Sequence, residues 1–204
     1  MFITFEGIDG SGKTTQIKLL SERLQSQGIS VIVLREPGGN EISENIREVL
    51  LSSKHEIGVR AELLLFVAAR AQLVEKVICP ALDAGKLVIC DRYIDSSVAY
   101  QGFGRGLSVA EVQECNKFAT NNLVPDLTFF LDVPTDIGIS RTSVRNEKVL
   151  DRIESAGESF FEKARKGYLS IAEIEPKRFI IIDAKATPEK IHEEIWSYVN
   201  MQVK

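Results

Sequence analysis

Several features that define common protein classes are missing from this 204-residue chain. No apolar run approaches the roughly 18 residues that a membrane-spanning helix needs, so we expect no membrane partner. The N-terminal residues lack the basic segment and the small-residue cleavage site of a signal peptide. The net charge of -4 lacks the basic excess of proteins that track nucleic-acid phosphates, which argues against a nucleic-acid partner.

Cysteine is scarce and scattered. Cys79, Cys90 and Cys115 are odd in number and lack the CxxC or Cys/His spacing of a disulfide framework or a metal site. We therefore interpret them as small apolar side chains in a protein of the reducing cytoplasm.

Short apolar runs alternate with longer helix-like stretches along the chain. Runs rich in Ile, Val, Leu and Phe predict strands buried on both faces: residues 2–6, 30–35, 87–91, 127–133 and 179–183. Helical patterns lie between them: residues 14–27, 42–51, 59–83, 108–121, 135–145, 158–175 and 188–199. This alternation predicts an α/β fold with a five-stranded parallel sheet and helices on both faces, as one domain over residues 1–204. In such folds ligands bind beyond the carboxyl ends of the strands.

A phosphate-binding loop follows the first predicted strand. The segment Gly7-Ile8-Asp9-Gly10-Ser11-Gly12-Lys13-Thr14 matches G-x-x-x-x-G-K-[ST] between a strand and a helix. Its glycines allow backbone N–H groups to point at phosphate oxygens, while Lys13 reaches the β and γ phosphates and Thr14 can hold Mg²⁺. The predicted ATP-binding residues are Gly7, Ile8, Asp9, Gly10, Ser11, Gly12, Lys13, Thr14 and Thr15.

The residues at the end of the third predicted strand favour phosphoryl transfer over hydrolysis. Asp91 occupies the position where P-loop enzymes hold Mg²⁺ or its waters. Motor ATPases often place a water-positioning glutamate next, whereas this chain has Arg92, which suits a second phosphate. A guanine contact would need Asn-Lys-x-Asp, and Asn116-Lys117-Phe118-Ala119 lacks the final acid.

A run of basic residues precedes the fifth predicted strand. Arg141, Arg145, Lys148 and Arg152 are spaced to share one face of a helix. One interpretation is a solvated basic face. The phosphate loop favours the other, a lid over residues 141–156 that brings an arginine to the transferred phosphoryl group.

Motifs spread over essentially the whole chain resemble those of the thymidylate kinase family. They are Phe5-Glu6-Gly7, Arg35-Glu36-Pro37-Gly38-Gly39, Leu65-Phe66-Val67-Ala68-Ala69-Arg70-Ala71-Gln72, Asp91-Arg92-Tyr93, Ala99-Tyr100-Gln101-Gly102, Pro125-Asp126-Leu127-Thr128 and Leu150-Asp151-Arg152-Ile153-Glu154. The resemblance implies an Mg²⁺-dependent, homodimeric kinase that converts ATP and dTMP to ADP and dTDP.

The resemblance also implies roles for individual residues. Asp9 would contact the acceptor and help place Mg²⁺, and Arg92 would bind the dTMP phosphate. The implied catalytic residues are Lys13, Arg92, Arg141, Arg145 and Asp9, with the lid supplying the arginine from 141 or 145. The implied metal-holding residues are Thr14, Asp91 and Asp9.

The resemblance assigns most of the contacts with the acceptor nucleoside to two stretches of the chain. Phe66 would stack on thymine, Arg70 would donate to its O4, and Tyr100 would crowd the place of a ribose 2′-hydroxyl. Ser97 and Gln101 would meet the base edge or its waters. Pro37 and Arg47 complete the implied dTMP site. From spacing alone, Phe66 fits an ordinary core better than a ligand site, and Tyr100 is compatible with a core position as well.

Two other functions stay open at this point. The chain could phosphorylate a deoxynucleoside or a different monophosphate, or it could be a nucleotide-dependent switch that hydrolyses ATP without a small acceptor. The absence of a glutamate after Asp91 and of a guanine motif argues against the switch.

Overall fold

The protein is described by a computed structural model that covers residues 1–54, 56–145 and 151–203, without the side chains of residues 143–145. Within these residues, parallel strands form one five-stranded sheet in the order β2-β3-β1-β4-β5. The strands are β1 (Phe2–Glu6), β2 (Val31–Arg35), β3 (Leu87–Asp91), β4 (Leu127–Asp132) and β5 (Phe179–Asp183). The predicted sheet is confirmed, with bounds within one residue of the prediction.

Helices surround the sheet, and the predicted ones lie close to their expected bounds. They are α1 (Lys13–Ser26), α2 (Glu41–Leu51), α3 (Val59–Leu73), α4 (Cys79–Asp83), α5 (Ile94–Ser97), α6 (Val109–Thr120), α7 (Thr135–Arg145), α8 (Glu158–Ile174) and α9 (Pro188–Asn200). Polar caps fix two of the starts. Ser108 Oγ accepts from the N–H of Glu111 at α6, and Thr187 Oγ1 accepts from the N–H of Lys190 at α9.

The sheet is buried on both faces only at its centre. Strands β1, β3 and β4 are almost wholly buried, as predicted, but the edge strands β2 and β5 are not. Val33 on β2 is 46% exposed and Ile181 on β5 is 45% exposed. The expectation of complete burial is wrong for these strands because an edge has a neighbouring strand, and hence cover, on one side only.

The helix predicted over 59–83 and the segment after β3 differ from expectation. The first is continuous but changes to a π-helical turn at Val74–Ile78, just before Pro80, whose ring and missing N–H disturb the preceding turn. The second forms α5 and a π-helical segment, Val98–Gly104, that the sequence does not predict. Its serines and glycines have low helix propensity, and packing against α8 stabilises it instead.

The chain reverses direction across the sheet between β1 and β3. It leaves β1 toward β2 and leaves β3 toward β4, on opposite sides of the sheet. The register places Phe5 beside Asp91, so the loops after β1 and β3 start next to each other. Such a switch point opens a crevice at the carboxyl ends of the strands, where α/β proteins bind ligands.

The basic run after β4 does not form one helical face. Helix α7 ends at Arg145, Lys148 lies outside the described residues, and Arg152 lies in a turn before a short 3-10 helix at Glu154–Ala156. The predicted common face is therefore wrong at Arg152. None of the described helices is long and apolar enough to cross a bilayer.

Candidate active site

The phosphate loop closes around a buried lysine. Lys13, the first residue of α1, is 7% exposed, and its Nζ donates to the carbonyl oxygens of Gly7 at 3.0 Å and Ile8 at 3.2 Å. Gly12 caps the helix with φ 96°, a left-handed conformation that favours glycine. The loop therefore presents its amides and the positive end of α1 to the same space as the ammonium group.

A glycine in the loop and a glycine in α7 allow α7 to lie against the phosphate loop. Gly10 has φ 78°, and a Cβ there would lie 2.2 Å from the carbonyl oxygen of Gly138 on α7. A Cβ on Gly138 would in turn meet the Ile8 side chain at 2.7 Å. The phosphate loop and the first turns of α7 are thus in backbone contact, which larger residues at either position would prevent.

The first of two adjoining cavities lies over the phosphate loop and is called the phosphate cavity. It holds about 320 Å³ and is lined by Asp9, Gly10, Gly12, Lys13, Thr14, Arg35, Glu36, Arg47, Asp91, Arg92, Thr142 and Glu154. Four of these residues are cationic, namely Lys13 and three arginines. A concave site with this many cations and loop amides suits a polyanion.

The second cavity, called the acceptor cavity, is smaller and more apolar. It holds about 110 Å³ and is lined by Asp9, Glu36, Pro37, Arg47, Leu51, Phe66, Arg92, Tyr100, Gln101, Asp151 and Ile153. Asp9, Glu36, Arg47 and Arg92 line both cavities. Aromatic and aliphatic walls with a few polar groups fit a flat ring that carries hydrogen-bonding edges.

An ion pair stands at the boundary of the two cavities. Arg92 Nη2 donates to Asp9 Oδ1 at 2.8 Å, and the guanidinium carbon lies 5.0 Å from the ring centroid of Tyr100. Burial alone would raise the pKa of Asp9, but the charges of Arg92 and Lys13 outweigh it and hold that pKa below its ordinary value. Asp9 therefore stays an anion beside two cations.

Arg92 is held by a buried carboxylate at the end of β1. Its Nη1 approaches the hydroxyls of Ser96 at 3.4 Å and Tyr168 at 3.3 Å. Both hydroxyls donate to Glu6, at 2.6 and 2.8 Å, and Glu6 also accepts from the N–H of Tyr93 at 2.8 Å. Arg92 itself has φ 71°, a strained backbone conformation. Glu6 fixes the next residue, because it accepts from the N–H of Tyr93.

Burial and the nearby charge of Asp95 raise the pKa of Glu6 to about 7. The hydrogen bonds from Ser96 and Tyr168 oppose this rise but do not cancel it. Glu6 therefore carries a proton at mildly acidic pH in the folded chain.

The end of β3 offers an oxygen to a cation. Asp91 Oδ1 is buried, and no donor among the described residues reaches it. Thr14 is exposed and lines the phosphate cavity together with Asp91 and Asp9. Two carboxylates, a hydroxyl and the phosphates of a nucleotide match the oxygen ligands that Mg²⁺ prefers, so these residues fit the predicted metal.

Arg70 lies behind the acceptor cavity rather than in its lining. It is 1% exposed, and its Nε and Nη2 both reach Glu36 Oε2, at 2.7 and 2.6 Å. Nη2 also donates to the carbonyl of Tyr93, while Nη1 donates to Ser97 Oγ and Asn116 Oδ1. Each guanidinium nitrogen thus has a protein acceptor, and Ser97 is engaged here as well. The expected contact of Arg70 with a base would require one of these bonds to be shared or exchanged.

The three arginines predicted for the lid differ in what the structure describes of them. Arg141 lines neither cavity, because its Nη1 donates to the carbonyl of Ala184 at 3.1 Å and approaches that of Gly10 at 3.4 Å. The side chain of Arg145 lies outside the described residues. Arg152 turns away from the phosphate loop and pairs with Glu62 on α3.

Most of the other predicted residues line one of the two cavities, and several unpredicted residues join them. Five of the other predicted residues line neither cavity: Gly7, Ile8, Ser11, Thr15 and Ser97. Phe66, a core candidate by spacing alone, is only partly buried and lines the acceptor cavity with Tyr100. The unpredicted lining residues with charged side chains are Arg35, Glu36, Asp151 and Glu154. Arg35 and Glu36 end β2 at the ligand-binding edge, a positional signal that the sequence already contains.

Comparisons with known proteins agree on one family. The sequence profile of the thymidylate kinase family matches residues 5–195. The thymidylate kinase of Kosmotoga olearia is 49% identical over 195 residues, covering 96% of this chain and 93% of the relative. That of Thermosipho africanus is 48% identical over the full length of both chains. The crystal structure of thymidylate kinase from Ehrlichia chaffeensis superposes with a TM-score of 0.80 at 36% identity, covering 98% of each chain.

The raised pKa of Glu6 predicts a pH-dependent stability. The unfolded carboxyl titrates near 4.5 and the folded one near 7, so the folded state binds the extra proton between these values. The stabilisation is present below the lower pKa and is lost as the pH rises through the upper one. The test is urea unfolding of wild type and Glu6→Gln at about pH 5 and about pH 8. From the lower to the higher pH, the free energy of unfolding of wild type should fall relative to that of the variant.

The control for this measurement is Glu22→Gln, which changes an exposed carboxylate on α1. The difference between wild type and this control should be nearly the same at both pH values. An equally constant difference for Glu6→Gln would contradict the raised pKa.

Proposed function

The chain belongs to the thymidylate kinase family, and from that premise we propose that the phosphate cavity holds the phosphates of ATP while the acceptor cavity holds dTMP. The protein is a dTMP kinase, which transfers the γ-phosphoryl group of ATP to dTMP and forms dTDP and ADP. In this reaction the bond from the γ phosphorus to the bridging oxygen breaks, and a bond to a dTMP phosphate oxygen forms.

The observation that carries this assignment is the shared boundary of the two cavities. Arg92 and Asp9 line both, so a phosphate on Arg92 from the acceptor side would face the γ-phosphate over Lys13. We assign Arg92 to the dTMP phosphate and Lys13 to the β and γ phosphates. The protein then acts by positioning and by neutralising charge rather than by covalent chemistry.

The remaining nucleotide contacts follow from the loop. Its amides, from Gly7 to Thr15, surround the ATP phosphates at the N-terminus of α1. Arg141 donates to the Ala184 carbonyl and lines neither cavity. We therefore favour Arg145 as the lid arginine that reaches the transferred group, with residues 141–156 as the lid of one domain.

In the acceptor cavity, Phe66 provides a flat face for the thymine ring and Tyr100 limits the space beside the sugar. Gln101 meets the base edge, and Pro37 and Arg47 also line the cavity. Arg47 Nη1 donates to the Pro37 carbonyl at 3.0 Å. If Arg70 donates to O4, a bond to a neutral acceptor such as Ser97 is more readily shared than the ion pair with Glu36.

We propose Mg²⁺ as the cofactor, held by Asp91 and Thr14 together with the nucleotide phosphates. Asp9 contributes through the oxygen that Arg92 does not use. When bound, the ion would neutralise negative charge on the β and γ phosphates. The buried, donor-free Oδ1 of Asp91 supports this assignment.

A homodimer is proposed from an apolar surface on three neighbouring helices. Helix α3 packs against both α2 and α6. Large apolar side chains on these helices are exposed: Ile42 and Val49 on α2, Val59 and Leu64 on α3, and Phe118 on α6. A second copy of the chain would cover them, as exposed apolar patches of this kind often require.

The three free thiols, Cys79, Cys90 and Cys115, support a cytoplasmic location.

The proposed acceptor is tested by an ADP-release assay with ATP, Mg²⁺ and a panel of acceptors: dTMP, dCMP, UMP, AMP and thymidine. Release should depend strongly on dTMP, because the acceptor cavity joins a base site to Arg92. Faster turnover of thymidine would remove Arg92 from phosphate binding. ADP release at the same rate with every acceptor and without one would indicate an ATPase instead.

Lys13→Ala should lower kcat by about 100- to 1000-fold, because a charge that stabilises the transferring phosphates is lost. Its matched control is Lys18→Ala, which changes an exposed lysine on the same helix and should leave kcat unchanged. Far-UV circular dichroism should be alike for all three proteins. Normal turnover of Lys13→Ala would exclude the loop lysine from the mechanism.

Phe118→Asp should convert the dimer to a monomer. The side chain is 91% exposed in the single chain, so its replacement removes little from the fold but places a charge in the proposed interface. Light scattering on wild type, on Phe118→Asp and on the control Ile174→Asp, which changes a 75% exposed residue of α8, measures the mass. A wild-type monomer, or a dimer that Phe118→Asp leaves intact, contradicts the assigned surface.

A further inference from the structure

A buried carboxylate on α3 lies one helical turn from the proposed thymine-stacking residue. Glu62, Phe66 and Arg70 are spaced four residues apart, so they share one face of the helix. Phe66 lines the acceptor cavity and Arg70 lies behind it, whereas Glu62 belongs to neither cavity lining. Glu62 is 1% exposed, and an isolated carboxylate at that depth would be costly.

Three side chains donate to Glu62 and keep it ionised. Oε1 accepts from Gln101 Nε2 at 2.9 Å and from Arg105 Nε at 3.2 Å. Oε2 accepts from Arg105 Nη2 at 3.2 Å and from Arg152 Nη1. Burial raises the pKa of Glu62, but the hydrogen bonds from Gln101, Arg105 and Arg152 outweigh it and leave the pKa below its ordinary value.

An ionised carboxylate fixes which way the Gln101 amide points. A carboxylate only accepts hydrogen bonds, so the NH₂ group of Gln101 must face Glu62 and the carbonyl oxygen must face the other way. Gln101 is 2% exposed and lines the acceptor cavity. Among the described residues, no donor is recorded on its Oε1, although Nε2 has one acceptor. Glu62 thus uses one N–H of the amide and leaves the carbonyl oxygen free to accept on the cavity side, whereas a turned amide would place its NH₂ group there.

The pyrimidine bases differ at the edge that such an acceptor would meet. Thymine carries an N–H at N3, whereas cytosine carries a lone pair there. An acceptor in a buried site binds the first and repels the second, because the wrong base leaves both groups without a donor.

We propose that Glu62 is a specificity-determining positioning residue, which selects dTMP over dCMP by holding the Gln101 carbonyl toward the base. The inference rests on the proposed function of the acceptor cavity. Arg105 and Arg152 contribute to this selectivity indirectly, since they hold the Glu62 carboxylate ionised and in place. Glu62 touches no substrate atom in this assignment.

The variant Glu62→Gln tests the proposal with almost no change in volume. Arg105 Nη2 and Arg152 Nη1 both donate to Oε2, whereas one arginine donor, Arg105 Nε at 3.2 Å, reaches Oε1. The new amide therefore places its oxygen at the Oε2 position and its NH₂ toward Gln101. The Gln101 amide then turns, and its NH₂ group faces the base. Its kcat/KM should fall for dTMP and rise for dCMP, lowering the dTMP-to-dCMP ratio roughly ten- to hundredfold, the size of one hydrogen bond gained or lost in a buried site.

A double-mutant cycle separates this effect from general damage to the fold. Gln101→Met removes the amide while keeping the length of the side chain, and should lower the ratio by itself. Adding Glu62→Gln to Gln101→Met should then leave the ratio unchanged, because Glu62 has no amide left to orient. Equal losses of kcat/KM for both nucleotides in Glu62→Gln, or a further change of ratio in the double variant, would overturn the proposal.

The proposed function fails by a different result, namely no dTMP-dependent ADP release in wild type. Should Glu62→Gln not fold, the wild-type protein still tests the orientation. The side-chain NH₂ signal of Gln101 in ¹⁵N spectra, identified by its loss in Gln101→Met, should exchange slowly with solvent without nucleotide, because Glu62 already accepts from it. Rapid exchange of both protons would overturn the assignment.

Discussion

The buried carboxylate of Glu6 ties together the parts of the chain that form the site. It ends β1 just before the phosphate loop, accepts from the backbone of the segment after β3, and accepts from Tyr168 on α8. These three elements are far apart in sequence and meet only at the switch point of the sheet. Arg92 depends on this junction, because the two hydroxyls that hold its Nη1 are themselves held by Glu6. The position of the Arg92 guanidinium thus depends on a group that it does not touch directly.

Charge in the site is closely balanced before any ligand arrives. The phosphate cavity is lined by four cations and also by four carboxylates, on Asp9, Glu36, Asp91 and Glu154. A phosphate that binds Arg92 therefore competes with Asp9 for the same guanidinium. Such balance lowers the cost of keeping arginines partly buried in the free protein, since each has a partner. It also favours ligands that bring both phosphate and a cation, because together they satisfy both signs.

Local sequence patterns predicted the elements whose causes are local. The phosphate loop, Asp91 at the end of β3, and the starts of α6 and α9 each depend on a few neighbouring residues, and the structure has them as expected. The segment Ile94–Gly104 was missed because packing against α8, and not propensity, makes it helical. The same limit explains the side chains. Arg70 was expected to contact the base and Arg152 to share a helical face of the lid, but neither pattern shows that Glu36 and Glu62, from distant segments, pair with these arginines. Glu62 itself has a spacing signal on α3, though only its contact with Gln101 gives that signal a meaning.

The contact between Gly10 and Gly138 has a mechanical consequence. Because the two backbones touch, the first turns of α7 and the phosphate loop form one rigid unit, and Thr142 extends it by donating to the Gly138 carbonyl. The start of α7 therefore cannot shift without moving the phosphate loop as well. A displacement at the carboxyl end of β4, which α7 follows, is thereby passed to the backbone that follows β1, although the two segments are far apart in sequence.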